Sequence, residues 1–553
     1  MTFLAVKRTS GNSAILTVIV TVVCLIPFLN KAFHIDDPLF IWSAKQIQIN
    51  PVDFYGFKVN WYGTEMPMAE VTENPPVACY YIAMVGRLFG WSEIVLHTAF
   101  LVPAAAAALG MYYLSKQLCS QPVLATLAAV LTPAFLVSST NVMCDTMMLA
   151  FWVWAAAFWV EGLKTNRKSK LFFAAVLIGI CALTKYFGIA LLGLLFVYSL
   201  IQKRRLDIWL LFLLIPVVIL AGYQWATYAL YGRGLLTKAI SFVTEYRRIG
   251  GIGSFSKVIT SLAFTGGCAA TALFCSVLLW SRRTLILSVV LTILFILALT
   301  SVDKIGVSYI RNTNTGDIAW SFIIQLGLMA AAGVSILALA CSDFWKCRDA
   351  DSLLLLVWVF GTFIFAGFVN WAVNARSILP MIPAVGILLA RRVSCCNKAQ
   401  QETRIKRMSW LLVPAAVVAL LVCQADYVWA SMSRSAVTEV SGKFKDQHSK
   451  IWFEGHWGFQ YYMEGNGYQA FDYESPKAVS GDIIIIPSNN SFIKSLPTEY
   501  VNLMDILEIG SSRWLTTMGG VSPVAGFYAE GWGVIPFAVE PIGPEDYYVL
   551  VVN

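Results

Sequence analysis

The sequence predicts a polytopic α-helical membrane protein with about 13 transmembrane helices and a small C-terminal extracytoplasmic α/β domain. Of its 553 residues, 58% are hydrophobic and only 13% are charged, whereas soluble domains average roughly 45–50% and ~25%. Apolar runs close to the roughly 20 residues that cross a bilayer recur between residues 12 and 424. Beyond residue 424 the apolar runs become short and strand-like. This pattern excludes a soluble globular protein, a disordered chain and a disulfide-stabilised secreted protein.

We assign thirteen spans to the apolar runs. They cover residues 12–29, 93–115, 122–138, 146–163, 171–184, 187–201, 208–231, 257–280, 285–301, 319–341, 352–371, 377–390 and 409–424. Residues 7–29 have the basic start and apolar stretch of a signal peptide, but no small-residue cleavage site follows them. We therefore expect a retained first helix.

Short basic connections alternate with longer, glycine-rich or acidic ones. The basic connections include residues 164–170, 203–205, 282–283 and 391–407, and lysine and arginine near helix ends favour the cytoplasmic side. An odd number of spans then places the tail outside, where its net charge of −8 contrasts with +16 for residues 1–424. We expect a bacterial inner-membrane protein whose active site is periplasmic. The basic excess indicates topology, so no nucleic-acid partner is predicted.

Two domains are predicted. Residues 1–424 form the transmembrane domain, whose first outer segment, residues 30–92, is too long for a plain connection and contains amphipathic helices. Residues 425–553 form the extracytoplasmic α/β domain, with strands at 451–453, 482–486 and 547–552. All 12 cysteines precede residue 425 and most lie in apolar runs. Neither a disulfide framework nor a zinc site is therefore supported.

Two adjacent acids open the first outer segment, in the run His34-Ile35-Asp36-Asp37-Pro38. Pro38 suits the first turn of a helix, so Asp37 is either its N-cap or a site residue. Adjacent residues do not share a helix face, so Asp36 points elsewhere. A carboxylate at the outer membrane surface can accept a proton from an incoming hydroxyl or amine, which makes Asp36 a candidate general base.

A third acid and two cations complete the candidate set. Asp145 lies in a very short outer turn, where it either caps the next helix or faces the same cavity as Asp36. Lys185 interrupts an apolar stretch, at a cost of roughly 2.5–3.5 kcal/mol on insertion scales. Arg376 lies at the outer start of a span, with no acid nearby in sequence. Lys185 could pair with Asp145, and Arg376 could extend to the interface; alternatively both hold a lipid phosphate.

A basic, glycine-rich outer loop contains Arg247 and Arg248. It breaks the positive-inside trend, so topology alone does not explain it. A mobile flap over an anionic substrate and a loop that meets anionic head groups both fit this pattern.

Taken together, these residues resemble the membrane glycosyltransferases of the C-type fold that use polyprenyl-phosphate sugars, in particular the protein O-mannosyltransferases and the bacterial aminoarabinose-to-lipid-A transferases. The features that carry the resemblance fall in family order over residues 30–390. They are Asp36-Asp37, Glu73-Asn74-Pro75-Pro76 before the second span, Asp145, Leu183-Thr184-Lys185, and Arg376 with Leu379-Pro380 and Pro383.

The resemblance implies an inverting transfer of a sugar from a polyprenyl-phosphate donor to an acceptor, with Asp36 as the general base. The leaving group is already an anion, so cations such as Lys185 and Arg376 would hold it and no strong acid is required. The acceptor is a lipid, a glycan or a protein, and the carrier is undecaprenyl or dolichyl phosphate. Membrane lipids surround the spans as further partners.

The sequence departs from the family in two places. Asp37 replaces the usual Glu. Glu73 and Asn74 are candidate substrate-binding residues, and Asn74 stands where relatives often have His or Lys, so its contacts to the sugar differ from theirs. Some relatives bind a divalent metal ion, for which Glu73 is the candidate ligand here; no other cofactor is predicted. Trp61 and Tyr62 are candidates for stacking on sugar rings, although membrane-interface belts and domain cores also use aromatics.

Two other functions fit the same composition. A lipid-linked sugar flippase or transporter also needs many spans and a central lysine, but no repeat symmetry is visible. A membrane assembly scaffold would bind its partner through the tail. These remain alternatives to the enzyme at this point.

Overall fold

The computed structural model describes residues 10–249, 253–312, 315–394, 398–447, 449–519 and 524–553. Most of these residues are helical. The helices are α1 (Ser10–Leu25), α2 (Asp37–Ile49), α3 (Met68–Val71), α4 (Val77–Phe89), α5 (Glu93–Leu118), α6 (Pro122–Val130), α7 (Pro133–Ser139), α8 (Cys144–Thr165), α9 (Lys168–Thr184), α10 (Ala190–Lys203), α11 (Trp209–Tyr231), α12 (Leu235–Ile249), α13 (Ser254–Cys268), α14 (Thr271–Leu279), α15 (Arg282–Leu299), α16 (Trp320–Cys347), α17 (Ala350–Ile364), α18 (Ala375–Ile378), α19 (Ile382–Ser394), α20 (Lys398–Lys443) and α21 (Trp457–Gly465).

Among the described residues, nine helices are long and apolar enough to cross a membrane, or up to eleven if two bent pairs each count as one span. The bent pairs are α6 with α7, at 65°, and α13 with α14, at 87°. The predicted polytopic helical membrane protein is confirmed, but the count of 13 is not. Helices α1 and α9, with 16 and 17 residues, fall short of the roughly 20 residues of a full span.

The break between α6 and α7 follows from its sequence. The Thr132 hydroxyl accepts a hydrogen bond from the amide of Phe135 and so caps α7. Pro133 takes the first helical position, where a missing N–H leaves no hydrogen bond unmade. The chain therefore turns here, and α7 leads into the short connection before Asp145.

The predicted basic connections meet at one end of the helix bundle. Lys164 donates hydrogen bonds to the carbonyl of Gln117 and to Asp351, 2.6 Å away. Arg391 donates to Asp343 and to the carbonyl of Leu118. Four connections between helices are therefore joined at this end, as the charge pattern along the sequence predicts.

The first outer segment lies at the opposite end, against the C-terminal part of the chain. It contains α2, a small hairpin of β1 (Lys58–Asn60) and β2 (Glu65–Pro67), α3 and α4. The Asn60 side chain donates to the carbonyl of Phe471, and the amide of Tyr473 donates to the carbonyl of Gly63. The segment thus joins the membrane helices to the C-terminal sheet.

The strands after β2 are β3 (Lys304–Ile305), β4 (Ser308–Tyr309), β5 (Ile451–Phe453), β6 (Gln469–Ala470), β7 (Ile483–Pro487), β8 (Val501–Ile509), β9 (Arg513–Thr516), β10 (Ala538–Ile542) and β11 (Glu545–Val552). In the C-terminal part, five of them form a sheet in the order β6-β5-β7-β11-β8. Strand β5 is parallel to β6 and β7, and β11 is antiparallel to β7 and β8. The three predicted strands correspond to β5, β7 and β11, whereas the nine-residue β8 lies where no strand was predicted. The other four strands form two two-stranded sheets, β3 with β4 and β9 with β10.

Helix α20 connects the two parts without interruption. It has 46 residues, so at 1.5 Å per residue it is roughly 70 Å long, more than twice the thickness of a bilayer core. The domain boundary predicted at residue 424 lies inside this helix. The C-terminal sheet is thus held on a rigid extension of the last membrane helix.

Candidate active site

A cavity of about 1500 Å³ lies where the first outer segment, the membrane helices and the C-terminal part meet. Its walls come from residues 35–39, 61–62 and 71–74 of the outer segment, from 185–190, from α12, from 365–377 and from residues 486–496 and 528–532. Most of the lining is apolar, with a few charged side chains among them. Seven of the residues predicted for the site line it: Asp36, Trp61, Tyr62, Glu73, Asn74, Lys185 and Arg376.

Asp36 enters the cavity from the N-terminus of α2. It occupies the N-cap position, but its side chain makes no capping hydrogen bond, and the helix begins at Asp37. Its neighbour Ile35 has a φ of +46°, a left-handed conformation that β-branched residues rarely adopt. The chain therefore turns sharply before α2, and the Asp36 carboxylate, 23% exposed, faces the cavity.

Arg376 reaches Asp36 from the other end of the sequence. Residues 365–369 form a π-helical turn, the chain then becomes extended, and Asn374 caps the short helix α18 by accepting from the amide of Ser377. This break in the span places the Arg376 guanidinium 2.9 Å from the Asp36 carboxylate. The acid that was missing near Arg376 in sequence is therefore supplied from 340 positions earlier.

Lys185 also lies at a break in a membrane helix. It adopts an extended conformation between α9 and a 3-10 turn at Tyr186–Ile189. Its ammonium group contacts the Asp145 carboxylate at 2.5 Å, so the predicted pairing of these two residues is present. Lys185 is nevertheless 22% exposed and lines the cavity. The pair therefore leaves the ammonium group accessible to a ligand.

Asp145 connects the two cations. It lies in the first turn of α8, almost fully buried behind the cavity wall. One of its oxygens contacts Lys185, and the other lies 3.9 Å from Arg376 and has no hydrogen-bond partner. Asp36, Arg376, Asp145 and Lys185 thus form an alternating row of charges, which we call the cavity cluster. The row is neutral as a whole, but both cations face the cavity.

Asp37 does not reach the cavity. Its carboxylate is buried and accepts hydrogen bonds from the amides of His34 and Val142, each at 2.8 Å. Burial raises its pKa to about 7, although Lys31 and the two amides oppose the shift. The side chain therefore ties the outer segment to the connection before α8. A catalytic role, predicted beside that of Asp36, is not supported by this position, and Asp37 is the first residue of α2 rather than its N-cap.

Glu73 is held by Lys238 of α12, whose ammonium group lies 2.8 Å from the carboxylate. The same ammonium donates to the carbonyls of Ala69, Glu70 and Thr72. Burial raises the pKa of Glu73 and lowers that of Lys238. In the described ranges, no group of three or more His, Cys, Asp or Glu could hold a metal ion. A carboxylate that faces a lysine does not fit the predicted metal ligand.

The other candidate site residues differ in their surroundings. Asn74 lines the cavity, and its carbonyl accepts from the hydroxyl of Tyr55. Trp61 is mostly buried against His456, while Tyr62 packs edge-to-face on Phe492 with ring centroids 4.7 Å apart. Arg247 and Arg248 belong to α12, but their side chains lie outside the described residues.

A second group of charges, which the sequence did not reveal, lies buried beside the cavity cluster. Lys31 contacts Asp426 at 2.5 Å, and both side chains are fully buried. Asp426 also accepts from the hydroxyls of Thr517 and Tyr528, each at 2.8 Å, and Lys31 also donates to Asn141. We call these five residues the buried network. Asp426 follows the last predicted span directly, and this position was the only signal in the sequence.

Tyr528 connects the buried network to the cavity cluster. Its hydroxyl accepts from Asn141 and donates to Asp426, and its ring faces the Arg376 guanidinium at 5.7 Å. Cations are attracted to the face of an aromatic ring at this distance. The amide of Ala375 also donates to the carbonyl of Phe527. The C-terminal part therefore helps to hold Arg376 in position.

Comparisons with known proteins agree with this architecture. The family model of the dolichyl-phosphate-mannose-protein mannosyltransferases matches residues 73–239. No curated protein sequence matches the chain significantly. The matched range includes Glu73, Asn74, Asp145 and Lys185 and leaves out Asp36 and Arg376.

Solved structures provide the comparison of the fold. The apo oligosaccharyltransferase of Archaeoglobus fulgidus superposes with a TM-score of 0.50 at 13% identity, over 84% of this chain and 64% of that one. This chain thus spans less than two thirds of that enzyme's length. ArnT of Cupriavidus metallidurans gives 0.49 at 14% identity in the apo state, over 87% and 93%. Its complex with undecaprenyl phosphate gives 0.47 at 12%, over 87% and 94%.

At such low identity, a superposition establishes the fold and no more. The predicted C-type fold is confirmed by the oligosaccharyltransferase, and the predicted family resemblance by the matching family model over residues 73–239. This integral membrane protein therefore has the C-type fold of the membrane glycosyltransferases and, over residues 73–239, the sequence pattern of the dolichyl-phosphate-mannose-protein mannosyltransferase family.

Proposed function

We propose that this protein is an inverting glycosyltransferase that moves a sugar from a polyprenyl-phosphate donor to an acceptor at the extracytoplasmic face of the membrane. The observation that carries the proposal is the cavity cluster: a carboxylate and two cations, from three distant parts of the sequence, border one large and mostly apolar cavity. The family model that matches residues 73–239 supports a polyprenyl-phosphate sugar as the donor.

The two cations suit the donor phosphate. Arg376 offers a planar fork of N–H donors that matches a phosphate, and Lys185 offers a second positive charge. Each cation already contacts an acid of the cavity cluster. A bound phosphate would therefore share the two cations with these acids. The apolar wall from α12 and residues 365–369 suits the isoprenoid chain beside the phosphate.

Asp36 suits the role of general base. Of the two acids in the cavity cluster, Asp36 lines the cavity, whereas Asp145 lies buried behind its wall. In the proposed reaction the acceptor hydroxyl gives its proton to Asp36 and its oxygen attacks the anomeric carbon from the face opposite the phosphate. The bond from that carbon to the phosphate oxygen breaks, and the polyprenyl phosphate leaves as an anion held by Arg376 and Lys185.

The position of the cavity supports the extracytoplasmic location. The cavity lies at the end of the bundle opposite the basic connections of Lys164 and Arg391, and basic connections favour the cytoplasm. We place the cavity cluster and the C-terminal sheet in the periplasm of a bacterial inner membrane. The division into a transmembrane domain, residues 1–424, and an extracytoplasmic domain, residues 425–553, belongs to the same proposal.

The test is binding of undecaprenyl phosphate to the full chain in nanodiscs, with undecaprenol as the ligand that lacks the phosphate. We expect the wild type to prefer the phosphate, and Arg376→Ala to weaken that preference by about 10- to 100-fold, since hydrogen bonds to a charged group contribute about 1.5–3 kcal/mol. Arg434→Ala is the matched control, because Arg434 pairs with Glu93 away from the cavity. Equal binding of the two lipids would contradict the proposal.

The flippase alternative is tested with the same full chain reconstituted into proteoliposomes. A transferase releases polyprenyl phosphate only when an acceptor is present, whereas a flippase moves labelled lipid across proteoliposomes without one. Acceptor-independent movement of the lipid, together with no sugar transfer, would favour the alternative.

A further inference from the structure

The backbone is strained at three places around the cavity. Six non-glycine residues of the described chain have a positive φ. Three of them are helix C-caps, where a left-handed residue is ordinary: Asn166, Arg204 and Arg348. The other three are Ile35, Trp457 and Phe492, and all of them line the cavity. Bulky residues persist in this conformation where the surrounding structure requires it, which is most common at functional sites.

Phe492 combines strain with exposure. Its φ is +54°, and 42% of the residue remains exposed although it borders a cavity. Left-handed backbone disfavours folding for a phenylalanine, and a residue that keeps 42% of its surface exposed gains only part of the burial energy of a core phenylalanine. Asparagine or glycine would suit the same backbone better. Folding alone therefore does not explain why a phenylalanine occupies this position.

The surroundings of Phe492 combine rings with hydrogen-bonding groups. The ring packs edge-to-face on Tyr62, and the two rings are part of one cavity wall. The loop that carries Phe492 also brings polar side chains to the wall: Ser488, Ser491, Lys494 and Ser495. An aromatic ring beside hydroxyl and ammonium groups suits a pyranose ring, which has C–H groups on its faces and hydroxyls around its edge. An acyl chain would not use the polar groups.

This wall is separate from the one proposed for the donor. A pocket of about 300–1000 Å³ holds a drug-sized ligand, so a cavity of about 1500 Å³ has room for two substrates. The chain just before Asp36 packs against the C-terminal part. Gly458, directly after the strained Trp457, packs so tightly on the backbone of the outer segment that an added Cβ would lie 2.0 Å from the carbonyl oxygen of Phe33.

We infer that residues 488–496, with Phe492 packed edge-to-face on Tyr62, form a saccharide-binding subsite that holds the acceptor. The assignment of the bound saccharide as the acceptor rests on the proposed glycosyl transfer. The binding of a saccharide at this subsite does not depend on it. This subsite assigns a function to the C-terminal part: its loop carries the acceptor, while the membrane helices carry the donor phosphate. The acceptor is then a glycan hydroxyl rather than a serine or threonine side chain.

The test is saturation-transfer NMR on the full chain in nanodiscs with three neutral trisaccharides: maltotriose, cellotriose and mannotriose. We expect transfer to the C–H protons of at least one of them and its loss in Phe492→Asn. Asparagine tolerates left-handed backbone, so the variant removes the ring while keeping or raising the melting temperature. Phe492→Trp restores the ring and should restore the signal. Trp514→Asn is the control, because Trp514 is 57% exposed in the same part of the chain but does not line the cavity.

Three results would overturn the inference. The first is no transfer to any trisaccharide in the wild type, and the second is an unchanged signal in Phe492→Asn. The third is binding of a serine- and threonine-containing peptide, at the expense of the trisaccharides, that depends on Phe492. None of these measurements uses the donor lipid, so a failure here is distinguishable from a failure of undecaprenyl phosphate binding.

Discussion

Asp36 and Asp37 are neighbours in the chain and yet belong to two different regions. Asp36 belongs to the cavity cluster, where its carboxylate is partly exposed beside Arg376. Asp37 lies with the buried network, fully enclosed, with both oxygens bound by backbone amides. Because adjacent residues at the start of a helix point in different directions, one dipeptide supplies an acid to each region.

The cavity cluster and the buried network contain the same kinds of charged side chain, but these side chains have different roles. In the buried network, Asp426 accepts hydrogen bonds from Lys31, Thr517 and Tyr528, so its charge is fully satisfied and no solvent reaches it. In the cavity cluster, an oxygen of Asp145 has no hydrogen-bond partner and both cations face the cavity. Satisfied buried charges stabilise one conformation, whereas accessible and incompletely paired ones can bind and react. Accessibility, and not the presence of charge, therefore marks the candidate active site.

The largest expected effect is on turnover. Asp36→Asn should lower sugar transfer by about 10²- to 10⁴-fold, which is the usual contribution of a general base. The same change removes a negative charge 2.9 Å from the Arg376 guanidinium, so binding of undecaprenyl phosphate should be as tight as in the wild type or tighter. Transfer kinetics and lipid binding measure the two effects.

The control for this variant is Asp303→Asn, which changes an exposed acid outside the cavity. It should leave both transfer and binding unchanged. Transfer at the wild-type rate by Asp36→Asn would remove the proposed base.

The next effect is on stability. Lys31→Met leaves Asp426 buried without its cation, and breaking a buried ion pair in this way costs about 3–5 kcal/mol. The melting temperature in nanodiscs should fall, while transfer per folded molecule stays similar. The double variant with Asp426→Asn should recover part of the loss, since the uncompensated charge is removed as well. A single variant as stable as the wild type would show that the pair does not hold the regions together.

A smaller effect, on donor binding, is expected from Arg376→Lys in the cavity cluster. The charge is kept, but the fork of donors that reaches Asp36 and faces Tyr528 is lost. We expect the KM for the donor to rise roughly tenfold, as one charge-assisted hydrogen bond predicts, with a smaller change in kcat. A change confined to kcat would mean that Arg376 acts on the reaction and not on donor binding.

The smallest effect is a dependence on pH. In the folded protein the pKa of Asp37 is about 7, above its ordinary value of 3.8, because the carboxyl is buried. Between these values the folded state binds more protons than the unfolded state, so this group makes the wild type less stable as pH rises from about 4 to 7. Asp37→Asn lacks this dependence, and its stability relative to the wild type should improve over that window. Melting temperatures at pH 4.5, 6 and 7.5 measure the difference, and parallel curves would contradict it.

Much of the fold followed from local signals. The apolar runs predicted a polytopic helical membrane protein, and the strand-like runs at 451–453, 482–486 and 547–552 appear as β5, β7 and β11. The count of 13 spans is not confirmed, because α1 and α9 are short and because α6 with α7, and α13 with α14, are bent pairs. Hydropathy records how apolar a run is, but it does not record where the helix bends.

The candidate site also contains residues that the sequence predicts and contacts that it does not predict. Lys185 and Arg376 could be predicted because a charge in or beside an apolar run is costly wherever the chain folds. Their partners could not, since Arg376 meets Asp36 across 340 positions. Phe492 gave no signal at all, because its strain is a property of the backbone conformation and not of the residue type.

The membrane environment, the helical class and the set of charged residues that burial makes costly follow from the amino-acid sequence, because these depend on composition and on neighbours along the chain. The folded chain sets which charge meets which, and which acid of the Asp36-Asp37 pair is accessible. It also places the loop with Phe492 in one wall of the cavity. Such contacts join residues that are hundreds of positions apart, and their energies depend on distance and solvent access, which only the folded chain defines.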